Sequence, residues 1–280
     1  MNRQIYFKSV GYFILSIICG IINDVLSKYI CSNMHPLNVT FFRFAFSTLT
    51  LIPFICLKKP LKINELSIHI IRGSFLFVGI FCWIYGLKRV PLSIATVISF
   101  SIPLFTLIIG SFVLREKITW QRWSATILGL IGILITLEFN SLQFNYMALI
   151  LMAAAVIFAC LDVINKIIVS RESIINMMFY SSLVTAIISL PFAISFWTYP
   201  SYNDLILLLV IGISANLLLF FLLKAFKLYD ATALAPYRYC ELIITSLLGY
   251  LIFDEIIGCN LIIGIIFIIP ATLFITYSEK

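Results

Sequence analysis

Charged side chains are scarce in this chain: Asp, Glu, Lys and Arg make up only 11% of its 280 residues. Soluble domains carry about 25% charged and about 45–50% apolar residues, whereas 62% of this chain is hydrophobic. This scarcity leaves little room for a soluble domain and predicts an all-α polytopic membrane protein. We assign the net charge of +7 to loops that orient the helices. We therefore expect contact with membrane lipid and none with nucleic acid.

The sequence also lacks the motifs of catalysis and of metal binding. It contains no glycine-rich phosphate loop, no His-Glu-x-x-His and no Gly-x-Ser-x-Gly. Its two histidines, His35 and His69, are far apart, and none of the seven cysteines forms a Cys-x-x-Cys pair. We expect neither an enzyme nor a cofactor or metal, and we interpret the cysteines as small apolar residues.

Long apolar runs are what the chain does contain. Each is about 18–24 residues long and could cross a hydrocarbon core about 30 Å thick. We predict ten transmembrane helices, at residues 9–30, 38–57, 68–87, 92–113, 119–137, 146–169, 174–197, 204–225, 231–253 and 259–277.

The basic residues of the loops indicate how these helices are oriented. With ten spans, 14 Lys and Arg residues fall on the side of the N-terminus, and only Lys88 and Arg89 fall on the other side. Loops rich in Lys and Arg stay in the cytoplasm. Both termini are therefore predicted to be cytoplasmic.

The two halves of the chain resemble each other in sequence. Residues 23–28 (Asn-Asp-Val-Leu-Ser-Lys) match residues 161–166 (Leu-Asp-Val-Ile-Asn-Lys) at an offset of 138. Each half holds five predicted spans, an odd number, so the second half enters the membrane from the opposite face. We predict two inverted five-helix repeats, at 1–140 and 141–280, with a substrate site near the membrane midplane between them.

Two ionisable residues lie deep within the ninth predicted span. If Asp230 is the N-cap of a helix, Arg238 and Glu241 lie roughly 12 Å and 16 Å into the membrane. A charge at that depth costs at least about 2.5–3.5 kcal/mol and usually faces a polar cavity. We predict that Arg238 and Glu241 bind substrate; the alternative is a mutually neutralising pair that fixes helix packing. At an offset of 139 their counterparts are Ser99 and Ile102.

Further charged residues are candidates for binding and gating. Arg43, about five residues into the second span, is a second candidate anchor for an anion. The carboxylates of the two repeats each precede a lysine by four residues and could pair with it on one helix face. We predict that these two pairs gate opposite ends of the protein; the alternative is that they anchor helix ends. The pairs are Asp24 with Lys28 and Asp162 with Lys166.

Proline and aromatic residues complete the predicted site. Pro236 lacks a backbone donor and is a candidate hinge beside Arg238. Aromatic faces stack on planar bases and attract cations, although most of the aromatic residues are expected to serve only packing. The candidates for ligand contact are Trp83, Tyr85, Phe100, Tyr237 and Tyr239.

The chain is similar to the drug/metabolite transporter superfamily, EamA type. Within it, the chain resembles the S-adenosylmethionine uptake transporters of obligate intracellular bacteria over residues 10–280. The passages that carry the resemblance are residues 23–25, 41–44, 100–107, 120–123, 235–239, 241–242, 272–274 and 277–280.

The resemblance implies a transporter of the bacterial cytoplasmic (inner) membrane. It implies uptake of S-adenosylmethionine as the small-molecule substrate, in exchange for S-adenosylhomocysteine, by a monomer or homodimer. It supplies no residue roles. From the chemistry of the ligand we expect Arg238 to hold its carboxylate and Glu241 its cationic groups. Two alternatives are an exporter of amino acids or other small metabolites and a membrane scaffold or sensor that transports nothing.

Overall fold

The computed structural model describes residues 3–56, 66–114, 119–136 and 146–254, together with three single residues beyond them. Within these ranges the secondary structure is helical. The tenth predicted span, 259–277, lies almost wholly outside the described residues, as do the segments between the ranges given.

The first half of the chain contains six helices where five spans are predicted. They are α1 (Arg3–Ile30), α2 (Pro36–Cys56), α3 (Leu66–Leu87), α4 (Leu92–Ser99), α5 (Ser101–Val113) and α6 (Trp120–Thr136). The fourth predicted span is interrupted at Phe100, which separates α4 from α5. Pro103 explains the break, because its missing N–H leaves the carbonyl of Ser99 without the usual helical donor.

The second half is interrupted at the matching place. Its elements are α7 (Tyr146–Ile168), α8 (Ile174–Ile194), α9 (Tyr202–Leu228), α10 (Ala231–Leu234), a 3-10 segment (Ala235–Cys240) and α11 (Glu241–Phe253). The ninth predicted span is thus not one regular α-helix. Pro236 follows the end of α10 closely, and its missing N–H leaves the carbonyl of Thr232 without the usual helical donor. The fourth span of each half is therefore a discontinuous helix.

Six of the described helices are long and apolar enough to cross a membrane: α1, α2, α3, α7, α8 and α9. Large apolar side chains cover their outer faces, among them Phe54, Ile187 and Ile213. Contact with acyl chains explains this exposure, since water would not stabilise so many apolar groups on one surface. The chain is a multi-pass membrane protein.

The helices of one half pack mainly against helices of the other. Helix α1 packs against α9, α3 packs against α7, and α2 packs against α8. Helix α2 also contacts α9, and α3 also contacts α8. Exchanging α1, α2 and α3 for α7, α8 and α9 converts the contact of α2 with α8 into itself and each of the other contacts into another one in the set. The side chains that face the space between the two halves therefore decide whether that space is filled or open.

Gly212 of α9 lies against the backbone of α2 where the two helices cross. A Cβ built on Gly212 would lie 2.8 Å from the Cβ of Phe46 and 2.9 Å from the backbone N of Ser47. The backbone cannot move aside as a flexible side chain can, and overpacking typically costs about 1–3 kcal/mol. We expect Gly212→Ala to lower the thermal unfolding midpoint in detergent or to prevent recovery of folded protein.

The matched control is Gly11→Ala, in the middle of α1. A Cβ at Gly11 meets nothing within 4 Å, and alanine is favoured over glycine inside a helix by about 1 kcal/mol. Gly11→Ala should leave the unfolding midpoint unchanged or raise it. Equal midpoints for the two variants would contradict the close approach of α2 and α9.

Candidate ligand-binding site

A cavity of about 180 Å³ lies between the two halves of the protein. It runs along the middle of α1, from Phe13 to Asp24, and it is closed by α2, α3, α7, α8 and α9. The break between α4 and α5, the 3-10 segment and α11 complete its wall. Five lining residues are ionisable: Asp24, Arg43, Asp162, Arg238 and Glu241.

Arg238 is bound to a carboxylate of the same half. Its Nη2 donates to Oδ2 of Asp162 at 2.6 Å, which joins the 3-10 segment to α7. The Cζ of Arg238 also lies 5.7 Å from the ring centroid of Phe13, within reach of a cation–π interaction. Asp162 is 5% exposed and the Arg238 side chain 19%. This ion pair therefore lies in the wall of the cavity with little access to solvent.

Asp24 has a different partner in the first half. The Nε1–H of Trp83 on α3 donates to its Oδ1 at 3.0 Å. Among the described residues, neither Asp24 nor Asp162 pairs with the lysine four positions later, so the predicted intrahelical pairs are wrong. The tryptophan fixes the orientation of the Asp24 carboxylate while using only one of its oxygens.

Arg43 and Glu241 bring opposite charges to the same space. Arg43 is 6% exposed, its Cζ lies 5.7 Å from the ring centroid of Phe44, and its charge interacts with that of Asp24. Glu241, the first residue of α11, interacts with the charges of both Asp24 and Arg238. The cavity thus holds three carboxylates and two guanidinium groups within one electrostatic cluster.

The two lysines hold the turns that precede the discontinuous helices. Lys28 Nζ donates to the carbonyl of Val90 at 3.1 Å, and Lys166 Nζ donates to the carbonyls of Phe226 and Tyr229 at 2.8 and 2.6 Å. Helix C-termini have unpaired carbonyls that favour a cation. The two residues do the same thing in their own halves, since Val90 and Tyr229 match at an offset of 139. The sequence spacing correctly identified the two lysines as equivalent residues of the two halves, but it predicted the wrong partners for them.

Asp230 occupies the N-cap position of α10 but makes no side-chain capping hydrogen bond. Its carboxylate instead binds Arg122 at 3.2 Å and lies 3.9 Å from Lys166. The predicted N-cap position is therefore confirmed, but the predicted side-chain hydrogen bond to the helix is not made. Two cations outweigh a single free backbone N–H as partners for this carboxylate.

Of the aromatic residues predicted to contact ligand, Trp83 lines the cavity. Phe100 is fully buried outside the cavity lining. The ring of Tyr85 lies 3.9 Å from the guanidinium of Arg89, beyond the cavity. The hydroxyl of Tyr237 is hydrogen-bonded to that of Tyr6 at 2.9 Å, also outside the lining. A 3-10 helix has about three residues per turn, so the side chains of consecutive residues point in different directions. This explains why Tyr237 does not follow its neighbour Arg238 into the cavity.

The two remaining predicted residues, Pro236 and Tyr239, have side chains outside the described part of the structure. Their backbones belong to the 3-10 segment. The predicted hinge at Pro236 and the predicted ligand contact of Tyr239 remain predictions.

The structure also shows polar and aromatic lining residues that sequence reasoning did not single out. Ser47 Oγ donates to Asn216 Oδ1 at 2.6 Å, and Asn216 Nδ2 donates to the carbonyl of Ser47 at 2.8 Å. Phe158 packs edge to face against Trp83, with ring centroids 5.9 Å apart. Asn216 could have been noticed, because a buried amide in an apolar span needs hydrogen-bond partners. Nothing in the sequence distinguishes Phe158 from the many other phenylalanines.

Comparison with protein families gives a match over nearly all of the chain. The model of the EamA-like transporter family matches twice, at residues 7–138 and 145–277. The two matches correspond to the two halves of the sequence repeat.

Curated proteins and a solved structure extend this similarity. An S-adenosylmethionine uptake transporter of Rickettsia felis is 50% identical, covering 98% of this chain and 94% of its own. A riboflavin transporter of Vibrio cholerae is 28% identical, over 86% of this chain and 83% of its own. One crystal structure superposes with a TM-score of 0.75 over 94% of this chain and 98% of its own, at 18% identity. That last similarity concerns the fold alone.

Proposed function

Because the chain belongs to the EamA-like transporter family, and is a transporter and not an enzyme, we propose that it takes up S-adenosylmethionine. The Rickettsia felis relative, half of whose aligned residues are identical, carries that activity in its name. The charges of the cavity support the same ligand independently of the name.

The observation that carries the proposal is the set of charges around the cavity. S-adenosylmethionine has a sulfonium, an ammonium and a carboxylate, so it carries two positive groups and one negative group. The cavity offers three carboxylates (Asp24, Asp162, Glu241) and two guanidinium groups (Arg43, Arg238). Its formal charge of −1 matches the ligand's net charge of +1. With a neutral or anionic ligand, one of the buried carboxylates would have to bind a proton to avoid an uncompensated charge.

Aromatic rings provide for the adenine and the sulfonium. Phe13, Phe44, Trp83 and Phe158 all line the cavity. Their faces stack on a planar base and attract a cation that has lost its hydration shell. These four rings, with Arg238 and Glu241, form the proposed substrate site.

The size of the cavity supports an alternating-access cycle. Sites for drug-sized ligands usually measure about 300–1,000 Å³, and this cavity measures about 180 Å³. We propose that helices separate before a nucleoside enters. We propose that ten spans in two inverted repeats, with both termini in the cytoplasm, open the cavity to one face at a time. Lys28 and Lys166 hold matching turns in the two halves, so each is proposed to act in gating at one face.

The uptake of labelled S-adenosylmethionine into cells that express the chain tests this function. Expressing cells should accumulate label faster than cells with an empty vector, and excess unlabelled ligand should abolish the difference. Adenosine analogues should compete, whereas free amino acids should compete weakly. An exporter of amino acids or other metabolites would reverse that order of competition. Absence of uptake, with the protein detected in the membrane, would exclude the proposed substrate.

Trapped S-adenosylhomocysteine tests whether the cycle is an exchange. Liposomes containing the purified protein should take up external S-adenosylmethionine much faster when S-adenosylhomocysteine is enclosed. Equal rates in loaded and empty liposomes would indicate uniport or coupling to another ion.

A further inference from the structure

We propose that Arg43 of α2 binds the carboxylate of the ligand's amino-acid moiety. This inference rests on the proposed uptake function. It assigns the carboxylate of the ligand to Arg43, whereas depth in the membrane favoured Arg238. The site would accordingly require a ligand with a free α-carboxylate, and it would discriminate against analogues that lack one.

One buried donor of Arg43 lacks an acceptor among the described residues. The residue is 6% exposed and lines the cavity, and within the described residues its buried Nε has no hydrogen-bond partner. A buried N–H group without an acceptor is costly, and more so on a charged side chain. A carboxylate in the cavity would fit, because the guanidinium fork binds it through two parallel hydrogen bonds.

Arg238 and Arg72, by contrast, already have acceptors within the protein. Arg238 donates to Asp162 at 2.6 Å. Arg72 donates through Nε to Asn165 and through Nη1 to the carbonyl of Met177, at 3.0 and 3.1 Å. A ligand carboxylate at Arg238 would compete with Asp162 for the same guanidinium, whereas among the described residues no acceptor competes for the Nε–H of Arg43.

Asp24 is placed to bind the ammonium of the same amino-acid moiety. Its charge interacts with that of Arg43, and Trp83 fixes one of its oxygens. An α-amino acid carries its ammonium and carboxylate on the same carbon, so its receptor needs an acid and a base close together. Asp24 and Arg43 meet this requirement within the first half of the protein. Glu241, which lines the same cavity, remains available for the sulfonium.

The test compares S-adenosylmethionine with its decarboxylated analogue, which keeps the sulfonium, the amine and the adenosine. Both unlabelled compounds compete against uptake of labelled S-adenosylmethionine. In the wild type, half-inhibition should need at least about tenfold more of the decarboxylated analogue, because one charge-assisted contact is lost. In Arg43→Gln the two compounds should inhibit at concentrations within about twofold of each other, since the anchor for the carboxylate is gone.

Arg238→Gln is the matched control, because it removes the same charge from the same cavity. Its uptake rate should fall, but its preference for the carboxylate should remain. Arg43→Lys keeps a positive charge without the planar fork and should retain part of the preference. Where Arg43→Gln or Arg238→Gln takes up too little label, ligand-induced shifts of the thermal unfolding midpoint of the purified protein provide the same comparison.

The outcomes separate this inference from the proposed function. If the wild type binds and transports S-adenosylmethionine but Arg43→Gln keeps the full preference, the assignment to Arg43 is wrong while the function stands. If only Arg238→Gln loses the preference, the carboxylate of the ligand binds Arg238 and not Arg43. If the wild type neither transports nor binds S-adenosylmethionine, the proposed function itself fails.

Discussion

Replacing Asp162 by Asn or Arg238 by Gln is expected to reduce uptake of S-adenosylmethionine by about 100-fold or more. Removal of one partner of a buried ion pair leaves the other charge uncompensated, typically at a cost of about 3–5 kcal/mol, and we expect this cost to fall on the state of the transport cycle in which the pair is formed. The 2.6 Å contact between Arg238 and Asp162 has little access to solvent. Uptake rates, normalised to the amount of protein in the membrane, measure the loss.

The double variant Asp162→Asn/Arg238→Gln should recover much of the lost stability but only part of the lost uptake, because Arg238 also belongs to the proposed substrate site. It leaves no unpaired charge, so the effects of the two single changes should be strongly non-additive. Arg89→Gln provides a control, because Arg89 is exposed outside the cavity and its replacement should change uptake little. Additive losses in the double variant would show that the two groups are not energetically coupled. A double variant that is stable but transports nothing would instead assign one of the charges to the ligand.

Glu241 and Arg238 also separate a carrier from an inert membrane protein. A scaffold or sensor would tolerate Glu241→Ala and Arg238→Ala without any change in solute flux. The carrier proposed above should lose uptake in both variants, because both residues line the cavity. Insertion of the variants into the membrane must be shown alongside the flux measurements.

The sequence predicted which positions meet at the centre of the protein. Depth within an apolar span selected Arg238 and Glu241, and both residues line the cavity. Their position could be predicted because the cost of a charge in the membrane is a property of local sequence. Their role in binding substrate stays a prediction.

The sequence did not predict which partner each charge chooses. Spacing of four residues suggested that Asp162 pairs with Lys166, yet Asp162 binds Arg238, 76 residues away in the chain. Lys166 instead reaches the carbonyls at the end of α9. Such choices depend on how the helices are arranged around one another, and a lysine side chain is long enough to have several partners. The same limit applies to Tyr237, whose direction is set by the 3-10 geometry of its segment.

An inside-negative membrane potential should accelerate uptake if S-adenosylmethionine is exchanged for S-adenosylhomocysteine. The first carries a net charge of +1 and the second is a neutral zwitterion, so each cycle moves one positive charge inward. One elementary charge gains about 2.3 kcal/mol per 100 mV. That energy corresponds to roughly a 50-fold change in the accumulation ratio at equilibrium. Liposomes loaded with S-adenosylhomocysteine, and polarised by a potassium gradient with valinomycin, measure the effect.

The charges of the protein do not alter this expectation over a full cycle. Asp24, Asp162, Glu241, Arg43 and Arg238 return to their starting positions, so their movements through the field cancel. Only a second moving ion can remove the dependence on potential, and the carboxylates of the cavity are the groups able to carry a proton outward. Uptake unaffected by the potential would therefore indicate that a proton leaves with S-adenosylhomocysteine. In that case an outward-directed proton gradient should drive uptake. Glu241→Gln or Asp24→Asn should then restore the dependence of uptake on the membrane potential.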